Sequence, residues 1–144
     1  IIDFVFGGSD YIKKNHDAIE ELGPHEFKFV FEFSGKSFYF IRSTSTYLSV
    51  FICDESFVPF KEIKLDEYTR ELQNKYQCKL EGLGFRSIVG RYFRVYGKEN
   101  LNEHKPIQYF EKESSAKSIL YLVKLFNKYA ALKSKSIHLQ KKKS

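Results

Sequence analysis

The residues best placed to do chemistry are Arg86, Arg91, Tyr92, Arg94, Tyr96 and Lys98, in the stretch RSIVGRYFRVYGK. If Arg91 to Tyr96 is a strand, side chains alternate between its faces. Phe93 and Val95 then share one side, and Tyr92, Arg94 and Tyr96 the other. With the apolar pair turned inward, the second set becomes an exposed aromatic-basic row. Such rings stack on nucleobases, and guanidinium groups pair with phosphate or stack as planes. The same Tyr-Arg composition anchors protein interfaces, and the apolar stems of Tyr and Arg also serve simply to cover a sheet face. The aromatic motif of RNA-recognition domains is absent from the stretch.

Carboxylates offer less. Metal-dependent nucleases can hold a divalent ion with an Asp and a following acid-x-Lys on an adjacent strand, the Lys stabilising developing charge. Asp54 with Glu62-Ile63-Lys64, and Asp10 or Asp17 with Glu26-Phe27-Lys28, have this order. Short patterns of this kind arise by chance in a chain that is 29% charged, and Pro59 disfavours a strand ahead of Glu62. The four His, at 16, 25, 104 and 138, include no HxxxH pair. A metal would need ligands gathered from distant segments, so no metal and no cofactor is expected. Gly7-Gly8-Ser9-Asp10 lacks the spacing of a phosphate-binding loop. Neither Cys53 nor Cys78 lies in a CxxC or nucleophile motif, which excludes a disulfide framework and a Cys-rich zinc site. Two reduced thiols fit a cytoplasmic setting. Ile1 stands where an initiator Met would, which leaves a removed leader open.

These residues must be positioned by elements, and the chain is organised around Phe27 to Cys53. Phe27, Phe29, Phe31 and Phe33 occupy alternate positions, Ser34-Gly35-Lys36 can turn, and Phe38 and Phe40 resume the alternation. Leu48, Val50 and Ile52 alternate again after a Ser/Thr-rich break. Three sequential antiparallel strands follow from this pattern. A helix precedes them, with an apolar stripe of Tyr11, Ile12, Ala18, Ile19 and Leu22 ended by Gly23-Pro24. Residues 54–64 read as a connection. Residues 65–77 read as a helix, with Leu65, Tyr68, Leu72 and Tyr76 along one side. The last helix starts near Ser114 or Ser115 and runs to Leu132, with an apolar face wide enough to mark a well-buried element. Laid over the Phe face, it would set Leu122 or Phe126 against Phe29 and Phe31.

The expected class is therefore α+β: a three-strand meander plus two or three further strands, with helices packed mainly on one face, in the order α-βββ-α-ββ(β)-α. Residues 1–132 form a single domain, long enough to bury a core without staples, and 133–144 form a basic, flexible tail. The core rests on rings, since the chain holds 15 Phe and 10 Tyr but no Trp or Met. Net charge is +6, yet without 133–144 the chain has nineteen basic against eighteen acidic residues. The tail residues Lys133, Lys135, Lys141, Lys142 and Lys143 carry the excess. Such a tail attracts nucleic acid or anionic lipid, or is simply solvated. No apolar run reaches the length of a membrane span.

With catalytic signatures missing, the function expected first is a non-catalytic protein-interaction module with a protein partner. A nucleic-acid-binding domain using the aromatic-basic strand and Lys tail comes second, and a metal-dependent nuclease third.

Overall fold

The structure is a computed structural model that describes residues 1–92 and 102–143, and the side chains of all of these except 130, 136 and 139–143. The chain is α+β, with one open antiparallel sheet and helices in roughly the expected order. It divides into two compact units, Ile1–Cys78 and Lys79–Ser144.

The first unit opens with three short helices, α1 (Ile2–Val5), α2 (Asp10–Lys14) and α3 (His16–Leu22). The apolar run at the N-terminus is thus helical, and the single helix expected over 11–22 breaks at Asn15. Gly23, at φ 71°, ends α3. The meander follows as β1 (Glu26–Phe33), β2 (Lys36–Ser43) and β3 (Ser49–Cys53). Ser34 and Gly35 both have positive φ, 51° and 72°, which is the two-residue turn whose twist matches an antiparallel hairpin. The register sets Phe29 opposite Phe40 and Phe31 opposite Phe38.

Residues 59–64, expected to be a connection, form a fourth strand, β4 (Pro59–Lys64), giving the order β1-β2-β3-β4. Pro59 is compatible because it is the first residue of an edge strand, where its missing N–H removes no interior ladder bond. Exposed Lys61, Glu62 and Lys64 line that edge, as charges on edge strands commonly do. α4 (Leu65–Lys75) then returns across the sheet.

Within the first unit, the Phe face is met by rings from the segments that flank the meander. Phe4 and Phe6 of the N-terminal segment meet Phe27 and Phe31 at ring separations of 5.4 and 5.2 Å. Tyr76, just past α4, meets Phe33 at 4.9 Å, and Tyr68 of α4 meets Phe40 at 5.4 Å. Phe29 and Phe31 are half-buried rather than sealed, and Phe126 is 68% exposed.

Arg42 fastens this cover. It is fully buried on the Phe face, opposite Phe27. Its guanidinium donates to the carbonyls of Phe4, of Gly8 at 2.9 Å and of Tyr47 at 2.7 Å, and it lies 3.8 Å over the Phe4 ring. A planar five-donor group satisfies three carbonyls at once, which lysine cannot do in this geometry. The Tyr68 hydroxyl adds a bond to the Val5 carbonyl at 2.8 Å.

The second unit contains α5 (Phe85–Tyr92), α6 (Ser115–Leu125) and α7 (Tyr129–Lys143). Arg91 and Tyr92, expected to open a strand, belong to helix α5 instead. The continuation through Phe93 to Tyr96 lies outside the described residues. Residues 133–143, expected as a tail, belong to α7.

Candidate functional site

Arg91 is not part of an exposed row. Its side chain is 7% exposed and that of Glu113 1% exposed. The two meet through paired bonds of 2.5 and 2.6 Å. Arg91 also donates to the Ile107 carbonyl at 2.8 Å and lies 4.5 Å over the Tyr121 ring. Glu113 accepts further from the Ser118 hydroxyl at 2.8 Å and the Tyr109 N–H at 3.0 Å. Burial raises the Glu113 carboxyl, but the bonds from Arg91, Tyr109 and Ser118 outweigh it and hold the group below the usual carboxylate range. Arg91 is thus committed to joining α5 to the segment before α6. The helix period, 3.6 residues rather than 2, turned it inward.

Tyr92 is exposed and Arg86 half-buried, both on α5. Arg94, Tyr96 and Lys98 lie outside the described residues. Lys133 and Lys135 are exposed on α7. Lys141, Lys142 and Lys143 fall within the span of α7, but their side chains are outside the description. The described positions of the six-residue set therefore form no continuous row.

The surface that stands out is one the sequence had assigned to the core. Ala116, Ile119, Leu120 and Val123 on α6 face Tyr129, Leu132 and Ile137 on α7 across an open groove of about 450 Å3, with Lys133 at its wall. Ile119 is 54% and Leu132 49% exposed. The reason lies in Phe126-Asn127-Lys128. Asn127 adopts φ 54°, and its N–H bonds the Lys124 carbonyl at 2.9 Å. The Lys128 N–H reaches the Val123 carbonyl at 3.1 Å. This pair of bonds is the Schellman termination, with Asn in the left-handed position. One long buried helix was expected, and two helices with an apolar cleft between them result. The signal was present in Asn127, a residue tolerated in the left-handed conformation, but it gives no direction for the chain afterwards.

The helix pair is also strongly cationic. From Ser114 to Ser144 there are eight Lys and no acidic residue. Lys124 and Lys133 stand over the Tyr129 ring at 4.8 and 5.7 Å.

The carboxylates with nuclease-like spacing have local roles or face solvent. One oxygen of Asp54 accepts from the Ser56 and Val58 N–H groups at 2.9 and 2.8 Å, closing the β3–β4 loop. Glu62 and Lys64 are exposed on β4. Among the described residues no three His, Cys, Asp or Glu gather as metal ligands. His25 is a structural bridge. Its Nδ1 donates to the Gly23 carbonyl at 2.8 Å, and its Nε2 hydrogen-bonds the Tyr11 hydroxyl at 2.8 Å. Cys53 and Cys78 are free thiols. Burial raises both, with Asp54 adding to the effect at Cys53, so each holds less reactive thiolate than an exposed cysteine. No described helix is long and apolar enough to cross a membrane. Comparison of the chain with protein-family models, with curated proteins and with solved structures gives no match in any of the three.

Proposed function

We propose that this chain is a non-catalytic protein-interaction module, a binding or adaptor domain whose contact surface is the α6/α7 groove. The observation that carries the reading is the concentration of exposed aliphatic side chains on two facing helices. Burying Ile119, Leu120 and Leu132 against a partner releases water at about 25 cal/mol per Å2 of apolar surface, and contiguous apolar patches of this kind mark interaction sites. Apart from Tyr129 and Lys133, the described lining of the groove is aliphatic, which suits contact with an apolar partner surface.

Affinity capture from native lysate, with and without nuclease, tests the reading. The bait is the full chain beside its Ile119→Asp variant, whose altered side chain is already half in solvent. Protein partners that survive nuclease and disappear with Ile119→Asp are the expected result. Recovery of nucleic acid alone, unchanged in the variant, would favour the second reading. That reading draws on the eight Lys of residues 114–144, which suit a polyanion through counterion release.

A further inference from the structure

We infer that the α6/α7 groove receives an acidic amphipathic helix from a partner protein, an inference that rests on the interaction-module reading. Ala116, Ile119, Leu120 and Val123 follow the i, i+3, i+4, i+7 pattern of a single helical stripe. The stripe runs for two turns, about 10 Å at 1.5 Å per residue. A trough between two helix flanks is filled by the apolar face of a third helix, ridges into grooves. An extended peptide fits poorly. The interior amides and carbonyls of α6 and α7 already pair within their own helices, so a strand laid there would leave its own backbone groups unpaired.

Charge selects among helices. Residues 114–144 hold eight Lys and no acid; among the described side chains, Lys133 lines the groove and Lys124 stands beside it over the Tyr129 ring. A basic helix would bring like charges to the edge of a desolvated contact, where Coulomb energies exceed those in water. A second copy of α6 and α7 would bring the same eight Lys and meets the same objection. The occupant is therefore a helix with two or three aliphatic anchors on one face and Asp or Glu on its flanks, one carboxylate lying opposite Lys133. A nucleic acid shares the charge but not the surface. Ile119, Leu120, Val123 and Leu132 offer no rings for stacking, and the Tyr129 ring is approached by Lys124 and Lys133.

The test uses the full chain and fluorescence anisotropy with labelled synthetic peptides of about five helical turns. One has Leu at i, i+3, i+4 and i+7 with Glu on its flanks. A second has the same Leu with Lys flanks, and a third is the scrambled Glu sequence. A labelled single-stranded oligonucleotide is the fourth probe. The Glu peptide should bind at least about tenfold tighter than the Lys or scrambled peptide. Ile119→Asp should remove that binding about tenfold or more, and Lys133→Glu should narrow the preference for the Glu peptide. Both side chains are exposed, so circular dichroism should match the parent chain.

Equal binding of the Glu and Lys peptides, lost together in Ile119→Asp, would overturn the acidic occupant while leaving the module reading intact. A dimer in sedimentation that Ile119→Asp dissociates would replace the partner with a second copy. Equal binding of the Glu peptide and its scramble, or no binding of any peptide, would overturn the helical occupant, with lysate capture judging the module separately. Tighter binding of the oligonucleotide, indifferent to Ile119→Asp, would sink both.

Discussion

Arg91 and Glu113 illustrate why a charged residue in a suggestive motif is not thereby a ligand-binding residue. Removing one member of such a buried pair leaves the other charge without compensation, at a cost of about 3–5 kcal/mol. Glu113→Gln should therefore lower stability by that amount in urea denaturation, although the amide still accepts from Ser118. The pH dependence follows from the lowered Glu113 carboxyl. Because the folded group titrates below the unfolded one, at about 4.3, its contribution is complete above that value. It disappears as pH falls through the folded one. The acid limb of the stability profile should be shallower in Glu113→Gln. Tyr68 acts at the other end. Burial raises its phenol far above the ordinary value, so the folded chain keeps it protonated where the unfolded chain ionises, above about pH 10. Stability should fall as pH rises through that region. Tyr68→Phe should flatten the fall and lose about 0.5–1.5 kcal/mol for the bond to Val5.

Helix ends decide where the site lies. α4 and α6 both finish in Schellman turns, with Gln77 at φ 51° and Asn127 at φ 54° in the left-handed position. A residue with a Cβ is strained there by roughly 1–2 kcal/mol, less for Asn. Gln77→Gly should raise stability by about 1 kcal/mol in thermal or urea unfolding. Asn127→Val should cost about 1–2 kcal/mol by the same argument, and the groove makes the second readout sharper. A chain that cannot hold the turn loses the angle between α6 and α7, so binding of the Glu-flanked peptide should weaken even where the fold survives. Gly90 is a different constraint. A Cβ at this position would come within 2.3 Å of the Tyr109 ring, so Gly90→Ala should destabilise the unit by about 1–3 kcal/mol through overpacking.

Across the whole molecule, charge is divided between the two units. Residues 1–78 hold nine basic and thirteen acidic side chains, and residues 79–144 fifteen and five. The net +6 is thus the sum of an acidic first unit and a strongly basic second one. Binding in the groove should weaken as salt rises, because exposed charges are screened over about 10 Å at 0.1 M. Deleting 133–144 separates stability from binding. Lys133, Lys135 and Ile137 are exposed and bury little surface, so the melting temperature should move by no more than about 2 °C. The same deletion removes Lys133 and Ile137 from the groove, and affinity for the acidic peptide should be lost. A large drop in melting temperature would instead show that α7 is integral to the second unit.

The meander and the helix over 65–75 were legible in the sequence because their determinants are local. Alternate phenylalanines fit a period of two, Ser34-Gly35 fits the turn between β1 and β2, and Leu65, Tyr68 and Leu72 fit a helical stripe. The partners of those faces were not legible. Hydrophobicity states that the Phe face must be covered, but it has no direction, and it did not single out Phe4, Phe6, Tyr68 and Tyr76 as the rings that meet it within the first unit. Pro59 was a local signal with two outcomes, since the residue that interrupts an interior strand is harmless at the start of an edge strand. The candidate site was least legible of all. Arg91 changed face when its segment took the helical period, and Ile119, Leu120 and Leu132 carry the composition of a core. Only the turn at Asn127 and the direction of α7 leave them exposed beside lysines, because exposure is a property of what packs where and not of any residue alone.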